Sequence, residues 1–340
     1  YSVYLGNSIL ENQAIKVPIN SFFASHIGIF GNSGSGKSNT LHKLYLELFR
    51  KPYLTKIIKT SQFFIIDFNG EYTGNGSFGL GTDDKNVFEI ETKGNNGQKI
   101  PIKKEYLFDP DILSLLFDAR AATQVPFLRS ALKLWNESNF SGNNFAVFVI
   151  GTMKKILTSG DDASSDSKEL WITLASSFVE VDCLFEPLKQ LEYHSVRQSY
   201  RSINVYINNK SPITDEAQRV LNLLEIKDAI AEKFETSNEI DKLKIHLEFQ
   251  KIHQTSWKST NIEFLNPLFK RIESAFNSLS KVIEIVPEIN PHYSALNIVS
   301  LVRANQEVKR LVPMLLSKMI YDEQKMNVAG DNVNRSKHVS

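Results

Sequence analysis

His26-Ile27-Gly28-Ile29-Phe30-Gly31-Asn32-Ser33-Gly34-Ser35-Gly36-Lys37-Ser38-Asn39 is a short apolar run that stops at a glycine-rich loop and ends on Lys-Ser-Asn. The loop from Gly31 to Ser38 fits G-x-x-x-x-G-K-[ST] without a gap, the pattern of a phosphate-binding P-loop. The chemistry requires these residue types at this spacing. Glycines let successive backbone N–H groups curl inward around phosphates, and the helix that follows adds unpaired N-terminal donors and the positive end of its dipole. Asn32, Ser33, Gly34, Ser35, Gly36 and Asn39 would line the phosphate cradle, Lys37 would neutralise the β- and γ-phosphates, and the Ser38 hydroxyl would ligate Mg²⁺. ATP and Mg²⁺ are therefore the expected cofactors. The flanks agree: 26–30 has the form of a buried strand, and beyond Lys37 the residues Leu41, Leu44, Tyr45, Leu48 and Phe49 recur at helical spacing up to Pro52.

One connection later comes Phe63-Phe64-Ile65-Ile66-Asp67-Phe68-Asn69-Gly70-Glu71-Tyr72. The apolar run predicts a second buried strand ending at Asp67, and strand, helix, strand begins an α/β sheet. Asp67 would then sit at the carboxyl end of a strand, where ligands bind in open α/β sheets. Glu71, after the Asn69-Gly70 turn, would point to the γ-phosphate and orient water. The alternative is an Asn-Gly turn with solvated acids on either side. The residues alone leave both open.

Further along, 87–90 predicts a strand, and Asp109-Pro110 is a helix start with its acid as N-cap. Helical periodicity follows over much of 111–138 and over 145–157. The polar run 158–167 has little to bury and reads as a mobile loop. Helices are expected from Ser211-Pro212 to about 233, over 262–280 and over 304–323. Ile203–Ile207 and Leu243–Phe249 alternate in the manner of strands, 295–301 reads as another strand, and 325–340 is polar and irregular. There is no internal repeat.

Of 340 residues, 42% are hydrophobic, enough for a sizeable core. No apolar run approaches the roughly 18 residues of a membrane span. The single cysteine, Cys183, precludes an internal disulfide and a cysteine-based metal cage, and fits a reducing, cytoplasmic setting. With 39 basic and 38 acidic residues the net charge is +1, so no global positive field marks a nucleic-acid binder, although a local channel is compatible with this balance. Lys103-Lys104, Lys154-Lys155, Arg197 and Arg201 are either phosphate contacts or solvated helix faces. Tyr193, His194 and Tyr200 lie close in sequence to the two arginines, as stacking groups or as core aromatics. Arg303 and Arg310 either face a neighbouring nucleotide or form ordinary ion pairs. The histidines show no metal-ligand spacing, and the missing Asn-Lys-x-Asp signature argues against a GTPase.

HIGIFGNSGSGKSNT followed by FFIIDFNGEY resembles the central ATPase of the HerA/FtsK superfamily, HerA in particular. The carrying positions are Lys37, Ser38 and Asn39, then Asp67, Gly70, Glu71 and Tyr72; the segment SALNIVSLVRANQEVKRLVPMLLSKMIYDEQK is similar to the strand and helix that precede that family's Walker B strand. The resemblance covers roughly 1–120 and 285–340. It implies an α/β, RecA-like P-loop NTPase core carrying a large, mostly helical insertion. The expected divisions are 1–24 as the remnant or edge of an N-terminal β-barrel, 25–104 as the first part of the core, 105–285 as the insertion, and 286–340 as the return to the core. It also implies an ATP hydrolase acting as a homo-hexamer on double-stranded DNA beside a nuclease or NAD-hydrolysing effector, with no membrane partner. Lys37, Asp67 and Glu71 would carry the catalysis. The family's Walker B acids and trans arginine have no counterpart in this sequence, so residues 338–340 are expected to end beside the strand of Ile27 and Ile29. The rival readings are a conjugation or type IV secretion ATPase and a scaffold ATPase that assembles an effector.

Overall fold

A computed structural model describes residues 2–23, 26–50, 54–94, 97–138, 140–163, 166–257 and 260–330. The chain divides into two compact units, one of residues 1–107 with 278–340 and one of residues 108–277.

The first unit is built on a three-stranded parallel sheet in the order Phe63–Asp67, Leu296–Arg303, Lys85–Glu91. Six consecutive buried residues, Leu296 to Leu301, make the middle strand. That is what a parallel strand covered on both faces demands, since neither side tolerates the polar half of an alternating pattern. Asn297 is buried within it and keeps its amide satisfied: Nδ2 donates to the carbonyls of Ser294 at 2.8 Å and Phe63 at 3.3 Å, and Oδ1 accepts from the Ser294 amide at 2.9 Å. The Lys37–Phe49 helix lays Leu44, Leu48 and Phe49 into the same core as Phe63, Phe78, Leu296 and Ile298. Phe49 and Phe63 meet edge to face, centroids 5.1 Å apart. An antiparallel hairpin of Ser2–Asn7 and Ala14–Pro18 adds Val3 to this core.

The expected strands over 63–67, 87–90 and 295–301 and the helix after Lys37 are all present. The expected strand over 26–30 is not. Residues 26–30 take no strand conformation, and Phe30 is 93% exposed. Gly28 interrupts the short apolar set of Ile27, Ile29 and Phe30, which weakens it as a strand, and among the described residues nothing pairs with it. The expectation for residues 338–340 falls outside the described residues. The long helix expected over 304–323 is Gln306–Gly330, so the polar stretch from 325 stays helical at least that far. A second parallel pair, Ile100–Lys103 with Ile283–Val286, was not expected. Its strands have four residues each, and Pro101 disguises the first.

In the second unit the Leu243–Phe249 alternation is part of a helix, Glu239–Thr255. Asn238 caps it, Oδ1 accepting from the Asp241 amide at 3.0 Å, with Glu239 and Asp241 in the first turn. Leu243, Ile245, His246, Leu247 and Phe249 are all buried, so the helix is covered nearly all round and shows no single stripe. Of Ile203–Ile207 only Tyr206–Ile207 joins a ladder, while Ile203 is exposed. The helix expected from 211 is capped by Thr214 and is split at Asn222, whose φ is +54°. Residues 158–163 are a packed turn rather than a mobile loop: Gly160 and Ala163 are buried, and Trp257 Nε1 donates to Ser159 Oγ at 3.1 Å.

His246 is fully buried among the rings of Trp135 and Phe140, each 5.1 Å away. Its Nε2 bonds the Ala131 carbonyl at 2.9 Å while Nδ1 has no partner among the described residues. Burial pulls its pKa down to about 4. A depressed folded value means that the unfolded chain takes up the proton first, so stability is complete above pH ~6.5 and falls as pH drops towards 4. The loss expected from this group at pH 4 is about 3 kcal/mol. All three tryptophans lie in this unit, so urea unfolding followed by tryptophan fluorescence reports on it alone. His246→Gln should remove that part of the acid sensitivity. Equal acid losses in wild type and variant would refute this role.

Candidate nucleotide-binding site

The loop Gly31–Gly36 stands before the first turn of the Lys37–Phe49 helix, largely exposed. Gly34 and Gly36 have φ of +79° and +88°, the left-handed region that a side chain resists. At Gly31 a Cβ would lie 2.3 Å from Ser35 Oγ. Gly34 and Gly36 are thus required by the curl of the loop, while at Gly31 a side chain would have to displace the Ser35 hydroxyl. Lys37 folds its ammonium back, Nζ donating to the carbonyls of Gly31 at 2.8 Å and Asn32 at 2.7 Å. A cation held only by two neutral carbonyls is readily transferred to phosphate oxygens. The residues present therefore fit a nucleoside triphosphate: Gly31 to Gly36 would hold its phosphates, Lys37 their charge, and Ser38 the accompanying Mg²⁺.

Beside this loop, the Phe63–Asp67 strand ends in an unusually complete hydrogen-bond cage. Asp67 is 2% exposed. Its Oδ1 accepts from the amides of Gly70 at 2.8 Å and of Asn69 and Glu71, each at 3.2 Å, and its Oδ2 accepts from the Tyr72 amide at 2.9 Å. The next four residues after Phe68 are thereby wound around one carboxylate. Gly70 sits at φ +78°, with Val302 Cγ2 3.0 Å from where its Cβ would be, so the end of the neighbouring strand presses on this turn. Tyr72 carries the turn to the nucleotide loop: its ring is buried in the core and its hydroxyl donates to the Ser38 carbonyl at 3.4 Å. Burial raises the pKa of the phenol, and the Ser38 side chain, as a donor to the phenol oxygen, partly offsets that. Glu71, by contrast, is exposed, and among the described residues its carboxylate has no hydrogen-bond or ion-pair partner.

The structure thus brings the Asp67–Tyr72 turn to the first turn of the P-loop helix, through Tyr72 rather than through either acid. Among the described residues no hydrogen bond or ion pair joins Asp67 or Glu71 to Lys37. Tyr72 was part of the sequence motif without a role, and the Tyr at the end of Gly-Glu-Tyr was the available signal. His42 was missed altogether. One turn along the P-loop helix, its Nε2 accepts from the Phe78 amide at 2.9 Å, with the ring 4.8 Å from that of Phe78, whose φ is +59°. No sequence pattern pointed to it. Among the described residues no group of three His, Cys, Asp or Glu is placed to hold a metal ion, and no helix is long and apolar enough to cross a membrane.

The family model for the central domain of helicase HerA matches residues 3–320. The chain belongs to the HerA helicase family. The bounds of the match also enclose 121–284, the stretch that the sequence resemblance left out. No curated protein matches the chain significantly. Membership supports a P-loop ATPase fold and an ATPase, and ATP and Mg²⁺ are the usual cofactors of the family.

Asp67→Asn tests the cage. An amide has one acceptor oxygen and turns N–H groups toward at least one of the four donors, so the turn loses bonds that no water replaces. We expect a loss of about 1–3 kcal/mol in unfolding free energy, together with weaker binding of a fluorescent ATP analogue. Unchanged stability and affinity would show that the cage is dispensable.

Proposed function

We propose that the chain is the ATPase core of a DNA-translocating motor that works as a homo-hexameric ring on double-stranded DNA, beside a nuclease or NAD-hydrolysing effector. The observation that carries this is the physical link from the P-loop helix through Tyr72 to the Asp67 turn. A scaffold that merely binds nucleotide has no need of a second element seated on the phosphate loop. A motor does, because phosphate loss has to be passed on as movement.

ATP, when bound, supplies the phosphoryl group whose transfer to water drives the cycle. Lys37 leaves the Gly31 and Asn32 carbonyls and holds negative charge in their place, so the loop exchanges neutral contacts for charge-assisted ones. Asp67 is a positioning residue: its four amide bonds take its acceptor capacity and fix where Glu71 projects. Glu71, unpartnered and exposed, is left as the group that orients water or reads the γ-phosphate. Charge stabilisation by Lys37 makes the largest contribution to catalysis in a site of this kind.

Lys37→Ala should lower ATP hydrolysis by two or more orders of magnitude, while Glu71→Gln should bind ATP normally and turn it over more slowly. Steady-state hydrolysis with and without duplex DNA checks both. Near wild-type hydrolysis in Lys37→Ala would sink the site assignment, and unchanged turnover in Glu71→Gln would return Glu71 to an ordinary turn. The motor reading further requires that duplex DNA stimulate wild-type hydrolysis. ATP-dependent assembly with no DNA stimulation would favour the scaffold. Light scattering with ATP at micromolar concentration should give a hexamer, and monomer alone would count against the ring.

A further inference from the structure

The helical unit carries a small antiparallel meander of Glu192–His194, Ser199–Arg201 and Tyr206–Ile207. Between its strands and the 195–197 turn lies a cleft of about 340 Å³, which has four features that belong together. First, its two cations, Arg197 and Arg201, are exposed and have no hydrogen-bond or ion-pair partner among the described residues. Arg201 stands across the ladder from Glu192, yet no ion pair joins them. Second, no carboxylate lines the cleft. Asp161 accepts from the Tyr193 hydroxyl and from Gln198 Nε2, and neither it nor Glu192 is among the lining residues.

Third, two lining polar atoms are buried without a partner. Ser199 is fully buried and among the described residues its Oγ bonds nothing; the His194 Nε2 atom is likewise buried and has no partner among them. An orphaned buried hydroxyl costs about 1–3 kcal/mol unless something arrives to meet it. Both atoms can donate to an oxygen, and each sits in a cleft that also carries two guanidinium groups. Fourth, aromatic faces frame the charge. Tyr206 is about half exposed, and Tyr193, its ring 5.0 Å from that of Tyr200, is anchored through its hydroxyl on Asp161. A free inorganic anion has no use for exposed tyrosines, and a duplex offers no unstacked base to them. Arginines for the backbone with tyrosines for the bases is the chemistry of unpaired strands.

We propose that this cleft binds an unpaired nucleic-acid segment, with a backbone phosphate on Arg197, Arg201 and the Ser199 hydroxyl and a base against Tyr206. The site lies outside the residues of the ATPase unit and rests on the DNA reading above only in taking nucleic acid as the ligand class.

Fluorescence anisotropy of the full chain with a labelled oligothymidine tests it. Arg197→Ala combined with Arg201→Ala should weaken binding at least about tenfold and flatten the salt dependence by roughly 0.7, the slope for one single-strand phosphate. Tyr206→Ala should cost about tenfold, within the range measured for lost base stacking. Both variants should keep wild-type tryptophan fluorescence and basal ATP hydrolysis. Lys37→Ala should bind the oligonucleotide as the wild type does, which separates failure of this site from failure of the motor. Wild-type affinity in the arginine variant, or no oligonucleotide binding by the wild type, would overturn the proposal. Displacement of the oligonucleotide by millimolar inorganic phosphate, with no effect of Tyr206→Ala, would assign the cleft to a free anion and overturn it as well.

Discussion

Four backbone amides converge on the Asp67 carboxylate, and the functional end of the sheet is organised around that convergence. A carboxylate is the one small side chain with lone pairs enough for such a cage, and at 2% exposure it has no water to fall back on. Once those bonds form, Asn69, Gly70, Glu71 and Tyr72 have little freedom left. Tyr72 is delivered to the Ser38 carbonyl, and Glu71 is turned outward. Gly70 has to be glycine, since its backbone is left-handed and Val302 closes in from the adjacent strand. The P-loop supplies the binding chemistry; the cage sets what lies beside it.

Most of this was legible in the residues, for reasons that differ by element. Gly31 to Ser38 stands out because its loop can be made in few ways, and Gly36, which the pattern fixes, is at φ +88°, with Gly34 inside the loop at +79°. Strand 63–67 is a continuous apolar run up to its terminal acid, and 296–301 is buried throughout with Asn297 and Ser300 its only polar members, so both stand out without an alignment. Leu243–Phe249 misled for a related reason: a helix buried nearly all round loses its polar stripe, and a local alternation of Leu, Ile, Leu and Phe then mimics a strand. The strand expected over 26–30 failed on context, because Ile27, Ile29 and Phe30 around a glycine make a strand only when a neighbour pairs with them. The role of Asp67 could not be read at all. Whether an acid after a strand binds a metal or ties down its own turn depends on where four amides point, which is tertiary information.

The helical unit shows the opposite pattern. It leaves several polar atoms buried without partners: His246 Nδ1, Gln250 Nε2 and Ser199 Oγ. The first two are shut inside the core, where an unpaired polar atom costs stability and, for His246, is expected to bring acid sensitivity. The third belongs to a residue that lines a cleft with cations and tyrosines. Burial alone does not separate a tolerated defect from a waiting donor; the surroundings do.

Amide hydrogen exchange across residues 32–38 and 69–72, with and without a non-hydrolysable ATP analogue and Mg²⁺, tests the central claim most directly. If Asp67 holds its turn and the P-loop is the ligand site, Gly70, Glu71 and Tyr72 exchange slowly without nucleotide, as strand amides do, and 32–38 become protected when it is added. Rapid exchange of 70–72 in the free protein, or no protection of 32–38 by the nucleotide, would contradict the account.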